Sequence, residues 1–169
     1  MVDVKIRPER AADVAVVHAI VAAAFERDDE ANLVDALRRE ADPYLAFVAE
    51  AEGLVVGHIA FTPITIDGDG PAAMGLAPVS VEPNVQSRGI GSALVRHGLQ
   101  ACRDADVGLI FVLGHPEYYP RFGFRSALEL GFHYRTTEFD PAFFVLELSA
   151  GAAAGRKGCV HYHSAFGAF

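Results

Sequence analysis

The stretch Val79-Ser80-Val81-Glu82-Pro83-Asn84-Val85-Gln86-Ser87-Arg88-Gly89-Ile90-Gly91-Ser92-Ala93-Leu94 constrains the fold more than any other part of the chain. It reads as an apolar strand, a polar turn with glycines spaced Gln86-x-x-Gly89-x-Gly91, and an apolar helix. The buried strand aims the turn. Gly89 and Gly91 carry no Cβ, so the backbone can curl there and a ligand can come close. The first N–H groups of the helix lack internal partners, and with the positive end of the helix dipole they form an anion site. Arg88 adds a full charge beside it. A phosphate or pyrophosphate is the simplest ligand for such a site. Glycine-rich strand-to-helix turns also occur where nothing binds, so the glycines alone leave both readings open. The spacing is not the dinucleotide fingerprint Gly-x-Gly-x-x-Gly, and no Gly-Lys-Ser/Thr follows as in a P-loop.

The rest of the chain alternates strand and helix patterns. Val2–Arg7 alternates apolar and polar residues, as a half-buried strand does. Asp13–Glu26 places Val14, Val17, Val21, Ala24 and Phe25 on one helical face, and Ala31–Ala41 repeats the period after a charged break. Tyr44–Glu50 and Leu54–Ile66 read as a hairpin around Ala51-Glu52-Gly53, with Gly57 and Pro63 marking a bulge or bend. Asp67-Gly68-Asp69-Gly70-Pro71 is a turn cluster whose spacing fails the calcium-loop pattern. Ala72–Val81 is the next strand, and Pro78 within it cannot donate a ladder bond, so either pairing is interrupted there or the strand lies at an edge. Ile90–Cys102 is a helix with Ile90, Leu94 and Ala101 on one face. Val107–Leu113 is a near-continuous apolar run, as a strand buried on both faces requires. Glu117–Phe122 reads as a short helix, Gly123-Phe124 opens a strand, Phe143–Leu148 is another, and Gly158–His163 returns to the sheet.

Two motifs in this frame resemble those of one superfamily. Gln86-Ser87-Arg88-Gly89-Ile90-Gly91 is similar to the acyl-CoA motif Gln/Arg-x-x-Gly-x-Gly/Ala of the GCN5-related N-acetyltransferases, the GNAT superfamily. Leu113-Gly114-His115-Pro116-Glu117-Tyr118-Tyr119-Pro120-Arg121-Phe122-Gly123-Phe124 resembles its Tyr-x-x-x-Gly-Phe element, in wording closest to the bacterial YhbS-like branch. The two stand in family order and at the usual distance. The resemblance spans roughly Val2 to Leu148, and the Val160–Phe166 ending is also similar to that branch.

The resemblance implies one α/β (α+β) domain over residues 1–169. Its GNAT fold would have a mixed, twisted sheet with helices on both sides, splayed between strands 4 and 5. It implies acetyl or short acyl transfer from acetyl-CoA to a primary amine, by direct attack in a ternary complex. Main-chain N–H groups of Val79 and Val81 would hold the acyl and pantetheine groups. Gln86, Ser87, Arg88, Gly89, Ile90, Gly91 and Ser92 would hold the pyrophosphate. Tyr119, four residues before Gly123-Phe124, would face the sulfur. A phenol with a reference pKa of about 10 can return a proton to a departing thiolate. Tyr118 is the neighbouring alternative, and a packing role is the other.

The base is open. Some relatives carry a glutamate eleven residues before the motif glutamine, and that position here is Gly75. The usual asparagine of the second motif is missing. His115, at the end of a strand near the expected gap, carries an imidazole, the side-chain type suited to a base near neutral pH. His58, Glu50 and Glu82 are further candidates. These gaps also keep alive a non-catalytic acyl-CoA sensor of the same fold, and an α/β domain binding another phosphate ligand.

Composition narrows the partners. The chain has 169 residues, is 51% hydrophobic and carries a formal charge of −8. That balance opposes nucleic-acid and acidic-membrane binding, so local donors must capture any anionic cosubstrate. It suits a cationic amine, small molecule or protein, or solubility alone. No apolar run approaches the ~20 residues of a membrane helix, and the first residues show no signal-peptide pattern. Cys102 and Cys159 make no metal or redox spacing, which suggests a cytoplasmic protein. His161 and His163 share a strand face but lack carboxylate or thiolate partners, so no metal is expected. A homodimer is compatible with the sequence, which does not name the acceptor.

Overall fold

The computed structural model describes residues 3–67 and 72–168. The alternation near the start becomes β1 (Lys5–Pro8), and the two amphipathic segments become α1 (Val14–Phe25) and α2 (Asp29–Glu40). Asp29 and Glu30 in the first turn of α2, with Arg38 and Arg39 in its last, complement the helix dipole. The hairpin forms as β2 (Leu45–Ala51) and β3 (Leu54–Pro63), followed by a two-residue β4 (Thr65–Ile66). Then come β5 (Ala73–Val81), α3 (Ile90–Asp104), β6 (Leu109–Leu113), β7 (Arg125–Ser126), β8 (Phe132–His133), β9 (Phe143–Glu147) and β10 (Gly158–His161). Of the Asp67–Pro71 turn only Asp67 lies within the described residues; Val2 lies outside them as well.

The main sheet has the order β1-β2-β3-β5-β6-β9-β7. Its neighbours are antiparallel except β5 and β6, which are parallel because α3 carries the chain across between them. One face is covered by α3, whose Leu94, Val95, Leu99 and Cys102 pack on Phe47, Ile59 and Phe61. Gly98 is the point of closest approach: a Cβ there would stand 2.3 Å from the Phe61 ring. The opposite face is covered at one end by α1 and α2, through Val17, Val21 and Val34 on Val48. At the other end Phe132 and Val160 pack on Phe111, Phe143 and Val145. The helices therefore flank the sheet on both sides.

Two expectations are corrected. The last strand does not rejoin the main sheet. It stops at His161 and builds a second sheet, β4-β10-β8, because β7 already pairs with the outer edge of β9. The segment at Glu117–Phe122 shortens to a 3-10 turn, Tyr119–Phe122, in which Pro120 sits in the first turn where its missing N–H costs nothing.

Buried ion pairs tie the helices to the sheet. Arg7 grips Asp13 with two N–H groups at 2.8 and 2.9 Å and reaches Glu50 at 3.0 Å. Glu9 receives Arg38 at 2.7 and 3.1 Å and lies 3.1 Å from His58 Nε2. Burial works against the Glu9 carboxylate, but hydrogen bonds from His58 and Arg38 carry it down to about 2. A carboxylate depressed on folding stabilises the protein above its ordinary pKa, and that stability is lost as pH falls through the folded value. Stability is therefore expected to decline between roughly pH 4.5 and 2, by up to about 3 kcal/mol from this group. Urea midpoints across that range should show the decline in the wild type and a flatter profile in Glu9→Gln.

Candidate active site

The seam in the sheet is set by where pairing stops. β5 and β6 pair only over Ala73–Gly75 and Leu109–Phe111, although both strands run further. On its other side β5 slips register against β3 between Ile59 and Phe61, with Ala77 and Pro78 as the residues left over. Proline has no N–H for that ladder, which places the bulge where the sequence put the interruption. The parting from β6, however, begins three residues earlier than Pro78. Beyond the bulge β5 returns to β3, and Glu82 N–H reaches Val56 O at 2.8 Å. Main-chain groups alternate along a strand, so Ser80 and Glu82 address β3 while Val79 and Val81 direct their N–H groups into the seam. These are the two amides that the resemblance selected.

The glycine turn closes one end of the seam. Ser87 and Gly89 both take left-handed backbone, at φ +63 and +86. Successive residues of this kind turn their amides inward as an anion-binding concavity. The first helical closure is Ala93 N–H to Gly89 O at 3.0 Å, and among the described residues the amides of Gly89, Ile90, Gly91 and Ser92 meet no carbonyl acceptor. Gly89 lines the cavity, and a Cβ there would meet nothing within 4 Å. The donor set and the room in front of it fit a diphosphate. Gln86 lines the cavity, and its side-chain amide donates to Val81 O at 3.0 Å and braces the turn. Arg88 is exposed and does not line the cavity, whereas Arg121 does. Arg121 donates to Tyr118 O at 2.9 Å and lies 4.5 Å over the Tyr118 ring. Nothing in the residue pattern singles it out.

Tyr118 and Tyr119 divide the cleft between them. The Tyr118 hydroxyl is 3.0 Å from Ser92 Oγ, at the start of α3, so this residue belongs to the phosphate end. The Tyr119 ring seats against Gly114, where a Cβ would stand 2.3 Å from it. Tyr119 is 6% exposed and lines the cavity. Burial, with Tyr118 beside it, pushes its phenol up to about 12, so it carries its proton at neutral pH. His115 lines the same cavity from an exposed position, and its carbonyl accepts the amide of Tyr118 at 3.0 Å.

The cavity holds about 950 Å³ and continues past Tyr119 to the α1–α2 side. Ala24, Phe25, Glu30, Leu33 and Phe166 line that end. Glu30 is the one carboxylate among the described lining residues, and it is paired with Arg27. None of these was selected from sequence, because helix periodicity marks them as packing or solvent positions.

The position of the missing glutamate is also explained. Gly75 is filled by the ring of Tyr162, since a Cβ there would come within 2.4 Å of it. The other sequence candidates lie apart from the cleft or do other work. Glu50 is bound to Arg7, and His163 Nδ1 accepts the Ala165 amide at 3.1 Å. Cys102 is buried in the core, and its thiol is pushed up to about 12 by desolvation. Among the described residues no three His, Cys, Asp or Glu side chains gather as a metal site, and no helix is long and apolar enough to cross a membrane.

A splayed mixed sheet whose opening is capped by an amide-lined glycine turn defines an acyltransferase-like fold. Comparison with known proteins agrees. The Acetyltransferase (GNAT) domain description matches residues 5–127. The chain is 34% identical over 165 residues to the uncharacterized N-acetyltransferase YhbS of Escherichia coli (strain K12), covering 97% of this chain and 99% of that protein. The crystal structure of Escherichia coli YhbS in complex with CoA superposes with a TM-score of 0.93 at 32% identity, over 99% of this chain and 93% of that one. A GNAT family acetyltransferase from Brucella melitensis in complex with acetyl-CoA gives 0.82 at 37% identity, over 98% and 99%. The chain belongs to the GNAT acetyltransferase family.

Proposed function

We propose that this protein transfers an acetyl or short acyl group from acetyl-CoA to a primary amine by direct attack within a ternary complex. The observation that carries the reading is the seam, where β5 parts from β6 after Gly75 while the amides of Val79 and Val81 face the opening. The two relatives solved with CoA and acetyl-CoA support the same cosubstrate here. The diphosphate lies on the amides from Ser87 to Ser92, with Arg88 and Arg121 as nearby cations. The thioester lies along β5. Its carbonyl gains negative charge as the amine adds, and fixed N–H donors stabilise that charge without reorganising.

Tyr119 returns a proton to the thiolate. Burial, with Tyr118 beside it, pushes its phenol up to about 12, so it is protonated and able to donate when the thiolate departs. The acceptor enters from the α1–α2 side. Phe25, Leu33 and Phe166 offer an apolar wall, and Glu30 offers a carboxylate that attracts a cationic amine. His115 lines the cavity and is the histidine open to the amine's proton, whereas His58 is fully buried behind Ser80.

The test is a panel of amines, small molecules and peptides, incubated with acetyl-CoA and read by free thiol. The reading expects at least one amine to release thiol with matching acylation by mass. Binding of acetyl-CoA without release from any amine would replace the enzyme reading with a ligand-sensing one.

A further inference from the structure

His58 of β3 and Ser80 of β5 are direct cross-strand partners. A Cβ on Gly57 would touch Leu94 and Ile90 of α3, so the next residue, His58, projects to the opposite, α1–α2 face. Ser80 projects there with it. The alternation fixed by Glu82 N–H on Val56 makes them a hydrogen-bonded pair, with Cβ atoms roughly 5 Å apart. His58 is fully buried and Ser80 is 3% exposed. Among the described residues neither His58 Nδ1 nor Ser80 Oγ has a hydrogen-bond partner. Leaving a buried polar atom unpaired costs about 1–3 kcal/mol, and here two such atoms sit on adjacent strands of one face.

The other ring nitrogen is committed. His58 Nε2 lies 3.1 Å from Glu9 Oε1, and Glu9 is itself held by Arg38. The Tyr44 hydroxyl donates to the same carboxylate oxygen at 3.4 Å. An ionised carboxylate only accepts, so Nε2 carries a hydrogen, and in the neutral tautomer that agrees with this contact Nδ1 keeps a free lone pair. Among the described residues Nδ1 is the ring nitrogen without a partner. Ser80 in turn lines the cavity, beside Val79 whose amide faces the thioester.

We infer that Ser80 and His58 form the outlet for the acceptor amine's proton, with Glu9 positioning the imidazole. This rests on the acetyl-transfer reading above. When the amine nitrogen bonds to the thioester carbon, its N–H bond breaks and the electron pair stays on nitrogen. In this structure Ser80 Oγ and His58 Nδ1 are not hydrogen-bonded to each other; with the Ser80 hydroxyl turned onto His58 Nδ1 in the ternary complex, the amine's proton passes to Ser80 Oγ, directly or over one water, while the Ser80 hydroxyl proton moves to His58 Nδ1. The resulting imidazolium stands against the Glu9 carboxylate. The carbon–sulfur bond breaks separately, and its thiolate is protonated by Tyr119. His58 is a positioning residue that acts through Ser80. The charged and titratable groups around it are Glu9 after β1, Arg38 of α2 and Tyr44 before β2.

The test uses the full chain, acetyl-CoA and whichever amine of the panel gives turnover. Ser80→Ala is expected to lower kcat roughly 10- to 100-fold while the KM for acetyl-CoA holds. Its rate should recover as pH rises and more amine arrives neutral. Ser80→Thr, which keeps the hydroxyl, should restore most of the rate. A Ser80→Ala enzyme with wild-type kcat and pH profile overturns the inference, as does a Ser80→Thr enzyme as slow as Ser80→Ala. So does a profile abolished by His115→Gln and untouched by Ser80→Ala. One measurement needs no substitution and no acceptor. The imidazole 15N spectrum should show the solvent-shielded ring of His58 protonated at Nε2 and bare at Nδ1, and a proton fixed on Nδ1 overturns the inference. Failure of the whole panel in the wild type would instead count against acetyl transfer itself.

Discussion

Tyr119→Phe is expected to lower kcat by roughly 10- to 1,000-fold and to leave acetyl-CoA affinity nearly unchanged. The substitution removes one oxygen and keeps the ring. The ring is what seats against Gly114 and packs on Tyr118, Phe122 and Phe124, so the packing survives. The loss falls on the step in which sulfur departs, since a thiolate left without a donor in a dry cleft is poorly stabilised. The signature is a fall in kcat with an unchanged dissociation constant, because only an interaction made in the transition state has been removed. A leaving group of lower pKa should narrow the gap between variant and wild type. Equal turnover of the two proteins would take Tyr119 out of the chemistry and return it to the core.

Gly89→Val should act at the other end of the cleft, on binding. Gly89 sits at φ +86 as the residue before α3. A β-branched side chain is strained there, at a cost of order 1–3 kcal/mol. The new carbons would stand in open space on the cavity wall, where the diphosphate approaches. Acetyl-CoA binding is expected to weaken roughly 10- to 100-fold, about 1.4 kcal/mol per tenfold, with a smaller effect for Gly89→Ala. Calorimetric titration of both variants beside their thermal midpoints separates lost binding from lost folding. Wild-type affinity in a folded Gly89→Val protein would move the phosphate away from this turn.

What was legible in the sequence was what local pattern encodes. The strand–turn–helix around Gly89 could be read because special backbone conformation demands glycine there, and the interruption at Pro78 because proline lacks a donor. The amides of Val79 and Val81 follow only from the resemblance, by their offset from the glycine motif. Ser87 was chosen for its place in the motif, but its own left-handed backbone carries no residue signal, as serine does not advertise it.

The acceptor side was largely hidden. Glu30 and Leu33 come from α2, Phe25 from α1 and Phe166 from the end of the chain, and only tertiary packing brings them to one wall. The return of the last strand was misassigned because a sheet edge already taken by β7 leaves no mark on the residues of β10. The Tyr162 ring over Gly75 was equally invisible, although the glycine itself was noticed as a missing carboxylate.

The most direct test of the account is a titration of acetyl-CoA into the wild-type protein. The seam beside β5 and the amides from Ser87 to Ser92 predict saturable binding of one acetyl-CoA per chain, with a dissociation constant below about 1 mM. Absence of saturation at that concentration, in protein shown to be folded, would contradict it.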